Sequence, residues 1–539
     1  MQGLMQDWPL LCTKVIDHAA EHHGRREVVS RSVEGPMHRT TYAEVRRRAL
    51  RLASRLVRDG ITPGERIATM AWNTWRHLEC WYGIVGAGAV YHTLNPRLFP
   101  DQIAWIMNDA DDRMIFADLT FVPLIEALVP KLSGLRRVVV LCERENLPDS
   151  TLDLVAYEDY LAEGDEDFSW VAVAEGDAAG MCYTSGTTGM PKGVVYSHRS
   201  NVLHSLIAIQ PDAMNLSSRD RVMPVVPLFH ANGWGIAFSA PMVGASLVMP
   251  GPKLDGASIG TLLREERVTF SAAVPTIWLA LLQHLEASGS DLPDLRRVVI
   301  GGAACPRVVT EAFETRYGVE VVHAWGMTEL SPLGTLNVMS ADTADLSRND
   351  QLALKQKQGR APFGVEMRIV GDDGAELPRD GRTFGRLMVK GPAIATAYHG
   401  HGDVLDKDGW FDTGDVAHID PDGFMQITDR AKDVIKSGGE WISSIDLENL
   451  AVGHPAVAEA AVIGVAHDRW GERPLLVVVR KPSCDVSRDE LLRFLDGRVA
   501  RWWMPDDVVF VDEIPHTATG KIQKTTLRDR FRDYRLPAA

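Results

Sequence analysis

Up to about residue 360, the chain alternates between short apolar runs and longer stretches with the periodicity of a helix. Residues 41–58 carry apolar side chains at helical spacing, which predicts an amphipathic helix. The runs at 66–72 and 89–96 predict strands, and residues 75–88 predict a mostly buried helix between them. Strands that alternate with helices in this way are typical of a mostly parallel sheet with helices on its faces.

Beyond about residue 360, the alternation of strands and helices gives way to short strands separated by turns. Short apolar runs that begin at Glu366, Gly385 and Gly423 are separated by turns containing Asp-Gly, which predicts an antiparallel β subdomain. Roughly the last hundred residues alternate between helix and strand. We therefore predict an α/β protein with a large N-terminal domain of mostly parallel sheets flanked by helices, a β subdomain, and a small α+β C-terminal domain.

Length, charge and cysteine content narrow the class of protein. A chain of 539 residues is too long for one hydrophobic core, so two or more domains are expected. The net charge of −15, with no dominant basic patch, argues against a nucleic-acid-binding surface. The six cysteines show no Cys-x-x-Cys spacing, so we predict reduced core residues in a cytoplasmic protein.

Two segments bear on membrane association. The first residues lack the basic and apolar regions of a secretory signal. Residues 228–252 contain no Asp, Glu, Lys or Arg, but Gly233, Gly235, Pro241 and Gly244 interrupt them. We therefore predict a buried helix, a turn and a buried strand here, and no integral membrane segment.

The strongest chemical signal is the segment Tyr-Thr-Ser-Gly-Thr-Thr-Gly-Met-Pro-Lys at 183–192. Its glycines let backbone N–H groups approach a polyphosphate, its hydroxyl groups add donors, and its lysine adds a positive charge. It is not a Walker A loop, because Pro191 stands where that motif has glycine. A surface turn is the alternative, but the β-rich run at 194–196 argues against it. The residues predicted to bind nucleotide here are Thr184, Ser185, Gly186, Thr187, Thr188, Gly189 and Lys192.

This loop resembles the phosphate loop of the adenylate-forming superfamily of acyl-CoA synthetases, luciferases and peptide-synthetase adenylation domains. Four further segments follow in the superfamily's order, so that the resemblance covers nearly the whole chain: 301–304, 325–329, 411–415 and 515–521. The phrases at 226–234 and 429–443 resemble the branch of medium- and long-chain fatty acyl-CoA synthetases, which also contains methylmercaptopropionate-CoA ligases.

The resemblance implies a two-step reaction by two domains. A carboxylic acid attacks the α-phosphorus of ATP in the presence of Mg²⁺, pyrophosphate leaves, and the acyl group of acyl-AMP passes to CoA. Because both reactants are anions, the site has to supply cations and N–H donors. The resemblance also implies an N-terminal domain at 1–430, a mobile C-terminal domain at 431–539, and, as in many members of this branch, a homodimer.

The resemblance assigns roles around the nucleotide. Asp415 would accept hydrogen bonds from the ribose hydroxyls, and Arg430 would reach the ribose or a phosphate. Thr328 would contact the α-phosphate, while Glu329 and Ser185 would hold Mg²⁺. Taken alone, these segments would also suit a helix cap, a strand-ending turn or an Asx turn. The nucleotide residues outside the loop are Gly302, Ala303, Ala304, His323, Ala324, Trp325, Gly326, Met327, Thr328, Asp415 and Arg430. Trp325 stands where the superfamily usually has tyrosine, and either ring can stack on adenine.

The C-terminal domain would contribute lysines and a glycine segment. Lys521 would bridge the substrate carboxylate and the α-phosphate during adenylation, although a single lysine is ordinarily a surface residue. Lys432 lies where the superfamily has its hinge. The segment that would face the pantetheine arm of CoA comprises Lys436, Gly438, Gly439, Glu440 and Trp441.

The prediction of the acid depends on His230 and Trp234. In the resembled branch, the segment that contains them lines the acyl tunnel, and Trp234 would act as the gate of that tunnel. A histidine beside phenylalanine is more often a core residue. We predict a medium- to long-chain fatty acid, with methylmercaptopropionate or an aryl acid as alternatives. The loading of a separate carrier protein, a luciferase-like oxygenase and an inactive nucleotide sensor are the other functions left open.

Overall fold

The computed structural model describes residues 1, 3–184, 190–431, 433–438, 440–482, 484–516 and 522–537. The first large sheet has seven strands, and its neighbours are parallel except for the last pair. In sheet order they are Leu154–Ala156, Arg137–Val140, Met114–Ala117, Arg66–Met70, Val90–Thr93, Ala178–Tyr183 and Gly193–Ser197. The strands on either side of the middle one, Met114–Ala117 and Val90–Thr93, are buried along their whole length, as expected for a parallel sheet covered on both faces.

The second large sheet has eight strands and is parallel except for the pair at each edge. In sheet order they are Leu333–Leu336, Glu320–Gly326, Arg297–Ile300, Phe270–Ala273, Arg221–Pro224, Ser246–Met249, Glu27–Arg31 and Met37–Thr41. The predicted mostly parallel architecture is therefore confirmed, as two sheets.

Helices cover both sheets, and the predicted ones at 41–58 and 75–88 are present. Every residue of Trp75–Gly86 is buried, and Gly83 lets this helix approach Leu52 of Tyr42–Arg58, because a Cβ there would lie 2.6 Å from the leucine. The α-helices of this part are Cys12–His23, Tyr42–Arg58, Trp75–Gly86, Pro100–Asp109, Val122–Leu128, Tyr157–Ala162, His198–Ala208, Ile236–Val243, Gly256–Glu265, Pro275–Ser288, Arg307–Arg316, Ala341–Ala344 and Arg348–Leu354.

One buried side chain ties the two large sheets together. Asn73 follows the strand Arg66–Met70 of the first sheet, and its amide nitrogen donates to the carbonyl oxygens of Pro224 and Val226 at 2.8 and 2.9 Å. Its side-chain oxygen accepts from the Leu228 N–H at 2.8 Å. Because Pro224 ends a strand of the second sheet, these bonds fix the carboxyl ends of both sheets relative to each other.

The predicted β subdomain is an antiparallel sheet of Glu366–Val370, Gly385–Lys390, Phe411–Ile419 and Met425–Arg430. The C-terminal sheet contains Glu440–Ile442, Ile435–Ser437, Gly471–Arg480, Val457–His467 and Asp507–Phe510, with the helices Ser444–Val452, Arg488–Leu495 and Lys524–Arg530. The chain thus changes sheets between Arg430 and Ile435. The domain division at residue 430 stays a prediction.

The uncharged stretch at 228–252 forms the helix Ile236–Val243, a turn at Gly244 and the strand Ser246–Met249, all as predicted. Within the described part of the chain, no helix is long and apolar enough to cross a membrane.

Candidate active site

A cleft of about 840 Å³ lies at the carboxyl ends of strands from both large sheets. Gly301 and Gly302 follow the strand Arg297–Ile300, and Thr184 follows Ala178–Tyr183. Ligands of parallel sheets usually bind at this edge. The cleft also contains Tyr398 and Arg430 of the β subdomain, and residues Asp433, His516 and Ile522 to Thr525 from the C-terminal part.

Two cleft residues from different strands, Trp325 and Arg430, meet at Asp415, which lies on a third strand and is itself not among the described cleft residues. The Trp325 indole N–H donates to Asp415 Oδ2 at 3.0 Å, and Arg430 Nε lies 2.9 Å from Asp415 Oδ1. Asp415 is only 2% exposed, so both carboxylate oxygens are fixed by donors in a buried setting. The structure therefore brings together Trp325, Asp415 and Arg430, which the sequence places far apart.

The remaining predicted nucleotide residues divide into two groups. Gly302, Ala324, Gly326, Met327 and Thr328 line the cleft together with Trp325. Ala303, Ala304 and His323 are not among the cleft residues that the structure describes. His323 is buried within its strand, and burial lowers the pKa of its imidazole to about 4, so the ring is neutral.

Part of the phosphate loop lies outside the described residues, namely Ser185, Gly186, Thr187, Thr188 and Gly189. The two ends of the loop are joined, because the Thr184 N–H donates to the Lys192 carbonyl at 2.9 Å and the Lys192 N–H donates to Thr184 Oγ1 at 3.1 Å. Both residues line the cleft. The loop therefore starts and ends at the cleft wall.

Glu329 is held by a tyrosine that sequence reasoning missed. Its Oε1 accepts from the Tyr398 hydroxyl at 2.6 Å, and the Lys192 ammonium lies 4.8 Å from the centre of the same ring. Burial raises the pKa of Tyr398, and the Glu329 carboxylate raises it further, so the hydroxyl remains a donor. Magnesium in phosphoryl-transfer sites is usually held by one or two carboxylates together with phosphate and water, so a single glutamate at the cleft wall fits Mg²⁺ bound to a nucleotide.

A left-handed turn carries the predicted gate. All five residues from Ala231 to Gly235 have positive φ, including 41° at Asn232 and 57° at Trp234. Asn232 anchors the turn to the first sheet, because its Oδ1 accepts from Thr93 Oγ1 at 2.8 Å. The Trp234 ring lies on Gly301, where an added Cβ would be 3.1 Å from the indole. His230 and Trp234 both line the cleft, and their role at an acyl tunnel stays a prediction.

Described residues on either side of one predicted C-terminal segment line the cleft. His516 and Ile522 pair across residues 517–521 and line the cleft, while Lys521 itself lies outside the described residues, as do Lys432 and Gly439. Lys436 and Gly438 are exposed and are not among the described cleft residues. Gly438 forms a turn against Trp470, and Glu440 and Trp441 belong to the following strand.

A buried ionic cluster, also unforeseen from sequence, joins the C-terminal part to the β subdomain. Lys524 Nζ lies 2.8 Å from Glu448 Oε1 and 4.0 Å from Asp429 Oδ1, and it donates to the Ser444 hydroxyl. Asp429 Oδ2 in turn accepts from the Ser444 N–H at 3.0 Å. Asp429 lies before Lys432 in the chain, whereas the other three lie after it, so the cluster spans the predicted hinge.

Comparisons with known proteins define the class to which this site belongs. The chain is 48% identical over 538 residues to a medium-chain-fatty-acid–CoA ligase of Ectopseudomonas oleovorans, covering 99% of this chain and 98% of that protein. It is 50% identical over 535 residues to a 3-methylmercaptopropionyl-CoA ligase of Ruegeria lacuscaerulensis, covering 99% of each. The crystal structure of the anthranilate CoA ligase AuaEII with anthranoyl-AMP matches with a TM-score of 0.87 at 25% identity, covering 98% of this chain and 99% of that one.

Fold, cleft and relatives together define an AMP-forming acid–thiol ligase, an enzyme that uses ATP, Mg²⁺ and CoA. The chain belongs to the AMP-binding enzyme family, whose sequence model matches residues 16–399. The model of the AMP-binding enzyme C-terminal domain matches residues 446–521. The resemblance found in the sequence is thereby confirmed.

Proposed function

We propose that this enzyme is an acid–CoA ligase for medium- to long-chain fatty acids. The observation that carries the proposal is the composition of one wall of the cleft. Met214, Trp234 and Leu333 form an uncharged surface in the same cavity as Thr328 and Glu329. An aliphatic chain on the apolar wall places its carboxylate toward the residues proposed for the α-phosphate and Mg²⁺.

In the first step, Lys521 bridges the substrate carboxylate and the α-phosphate of ATP. The support is the position of its described neighbours, because His516 and Ile522 line the cleft on either side of the segment that contains Lys521. A lysine there neutralises charge as it shifts from carboxylate to phosphate. Trp325, Asp415 and Arg430 hold adenine and ribose, and the loop at 184–192 holds the phosphates.

In the second step, the C-terminal domain rotates about Lys432 and presents residues 436–441 to the acyl-AMP. This part of the proposal is supported by the exposed position of Lys436 and Gly438, which do not line the cleft that His516 and Ile522 line. Two segments of one domain that face different directions require a change in orientation if both are to serve one acyl group.

A shorter thioether acid is the second candidate substrate. The chain is 50% identical to the 3-methylmercaptopropionyl-CoA ligase and 48% identical to the medium-chain fatty-acid enzyme. The two values are so close that overall similarity does not decide between the two substrates. The side chains of the apolar wall decide the length of acid that fits.

The test is a pyrophosphate-release assay with Mg²⁺-ATP and a panel of acids: butyrate, octanoate, palmitate, 3-methylmercaptopropionate and benzoate, each with and without CoA. We expect the highest kcat/KM for octanoate or palmitate, with sustained turnover only when CoA is present. A maximum for 3-methylmercaptopropionate would make the thioether acid the substrate. Pyrophosphate release that is indifferent to CoA would point to a separate carrier protein as the acyl acceptor.

A further inference from the structure

We propose that Trp325 is a positioning residue that orients the Asp415 carboxylate, and that it thereby sets the selectivity of the enzyme for the ribose hydroxyls of ATP. The inference rests on the proposed function of the cleft. It concerns the edge of the indole ring, which carries the N–H, and is separate from any stacking of adenine on the ring face.

Two donors hold the carboxylate from different directions. The Trp325 Nε1–H binds Oδ2 at 3.0 Å, while Arg430 Nε lies 2.9 Å from Oδ1. Because each oxygen has a donor, the plane of the carboxylate is fixed before any ribose arrives. Preorganised acceptors cost no reorganisation when a hydroxyl binds, so they discriminate strongly against a sugar that lacks it.

The indole itself has little freedom to move away from Asp415. Gly334 lies against its six-membered ring, where an added Cβ would be 2.3 Å from two ring carbons. Trp325 is 8% exposed and belongs to the same buried hydrophobic cluster as Leu330 and Met367 of the β subdomain core. The ring is thus clamped on one face, its edge is bonded to Asp415, and it still contributes to the cleft wall.

Phenylalanine at this position keeps a ring but has no donor, so Asp415 Oδ2 loses the indole hydrogen bond. The ion pair with Arg430 remains, but the Arg430 side chain is 42% exposed and so orients the carboxylate less firmly than the buried indole does. We expect Trp325→Phe to raise the KM for ATP and to reduce the preference for ATP over 2′-deoxy-ATP and 3′-deoxy-ATP by about tenfold or more, as for the loss of a hydrogen bond to a charged group.

The experiment measures kcat/KM for acyl-AMP formation with the three nucleotides in the wild type, Trp325→Phe, Trp325→Tyr and Asp415→Asn. Tyrosine is the usual residue of the superfamily here, and its hydroxyl lies at the end of the ring rather than at the position of the indole N–H that binds Asp415. This variant therefore keeps the inference testable if the phenylalanine variant fails to fold. Trp105→Phe is the matched control, because Trp105 lines the cleft but its ring packs near Tyr183.

The expected result is a reduced preference for ATP in both Trp325 variants and in Asp415→Asn, with the Trp105→Phe ratio at the wild-type value. An unchanged ratio in the Trp325 variants alongside a reduced ratio in Asp415→Asn would overturn the role of Trp325. An unchanged ratio in Asp415→Asn would overturn the whole arrangement. A wild type that forms no acyl-AMP from any acid would instead refute the proposed function, so the two failures are distinguishable.

Discussion

The buried cluster around Lys524 allows a quantitative prediction about how the C-terminal domain is held. The Lys524 side chain is 8% exposed and that of Glu448 is 12% exposed, with 2.8 Å between Nζ and Oε1. Replacing Lys524 with methionine keeps the apolar stem but removes the charge. Where Glu448 is ionised, its carboxylate is then buried without its cation, so we expect a loss of about 3–5 kcal/mol in the free energy of unfolding at pH 8.5.

The loss in free energy of unfolding caused by Lys524→Met depends on pH, because the pKa of Glu448 lies near neutrality. Burial raises the pKa of Glu448 to about 7, and the nearby Lys524 ammonium opposes this rise. Without Lys524 the pKa moves higher still, so Glu448 takes up a proton around neutral pH and the buried charge disappears. A group whose pKa is raised by folding loses stability as the pH rises through the folded value, so the cost of Lys524→Met is larger at pH 8.5 than at pH 6.

Urea unfolding at both pH values measures this effect. In the double variant with Glu448→Gln, the Glu448 charge is removed together with its cation, and the buried Asp429 carboxylate keeps its hydrogen bonds from the Ser444 N–H and hydroxyl. Glutamine can still accept from the Val462 N–H, which donates to Glu448 at 2.8 Å. We therefore expect the double variant to recover most of the loss. Lys131→Met is the control, since Lys131 pairs with Asp101 on the surface and should cost under about 1 kcal/mol. A Lys524→Met variant as stable as this control at pH 8.5 would refute the reasoning.

Three further changes test the gate, a buried acid and the hinge. Trp234→Ala should alter the chain-length profile and the KM of the acid far more than the KM of ATP; an unchanged profile with lower stability would make Trp234 an ordinary core residue. Burial raises the pKa of Asp118 to about 7. Because a group whose pKa is raised by folding loses stability as the pH rises, the free energy of unfolding of the wild type should fall by about 3 kcal/mol more than that of Asp118→Asn between pH 5 and pH 8. Urea unfolding measures this difference, and parallel pH profiles of the two proteins would contradict it. Lys432→Pro should keep adenylation within about tenfold but slow thioester formation about a hundredfold or more, whereas Lys432→Ala should affect the second step much less; acyl-CoA formation from acyl-AMP at the wild-type rate would rule out the hinge.

The sequence allowed much of the fold to be predicted because the informative patterns are local. The helix at Tyr42–Arg58, the wholly buried helix at Trp75–Gly86 and the antiparallel β subdomain all follow from periodicity and turn residues within short windows. The number of sheets and the strands that belong to each were not predicted. They depend on long-range links such as the Asn73 side chain, which no local pattern indicates.

The site was predictable where chemistry is encoded in contiguous motifs, and not where it depends on tertiary contact. Trp325, Asp415 and Arg430 were named from separate motifs, but the indole–carboxylate bond spans 90 positions. The Tyr398–Glu329 bond spans 69 positions, and the Lys524–Ser444 bond spans 80. Lysine side chains are ordinarily exposed, so the residue type alone predicts an exposed Lys524. Its burial can be understood only from the tertiary structure, which brings the acidic partners next to it.

The most direct test of the central claim is a comparison of the two half-reactions in Lys521→Ala. Adenylation is followed by single-turnover formation of acyl-AMP, and the second step by formation of acyl-CoA from supplied acyl-AMP. Lys481→Ala, an exposed lysine of the same domain, is the matched control. If Lys521 bridges carboxylate and α-phosphate, adenylation should fall by several orders of magnitude while thioester formation is largely retained. An equal loss in both half-reactions, or wild-type adenylation, would contradict the claim.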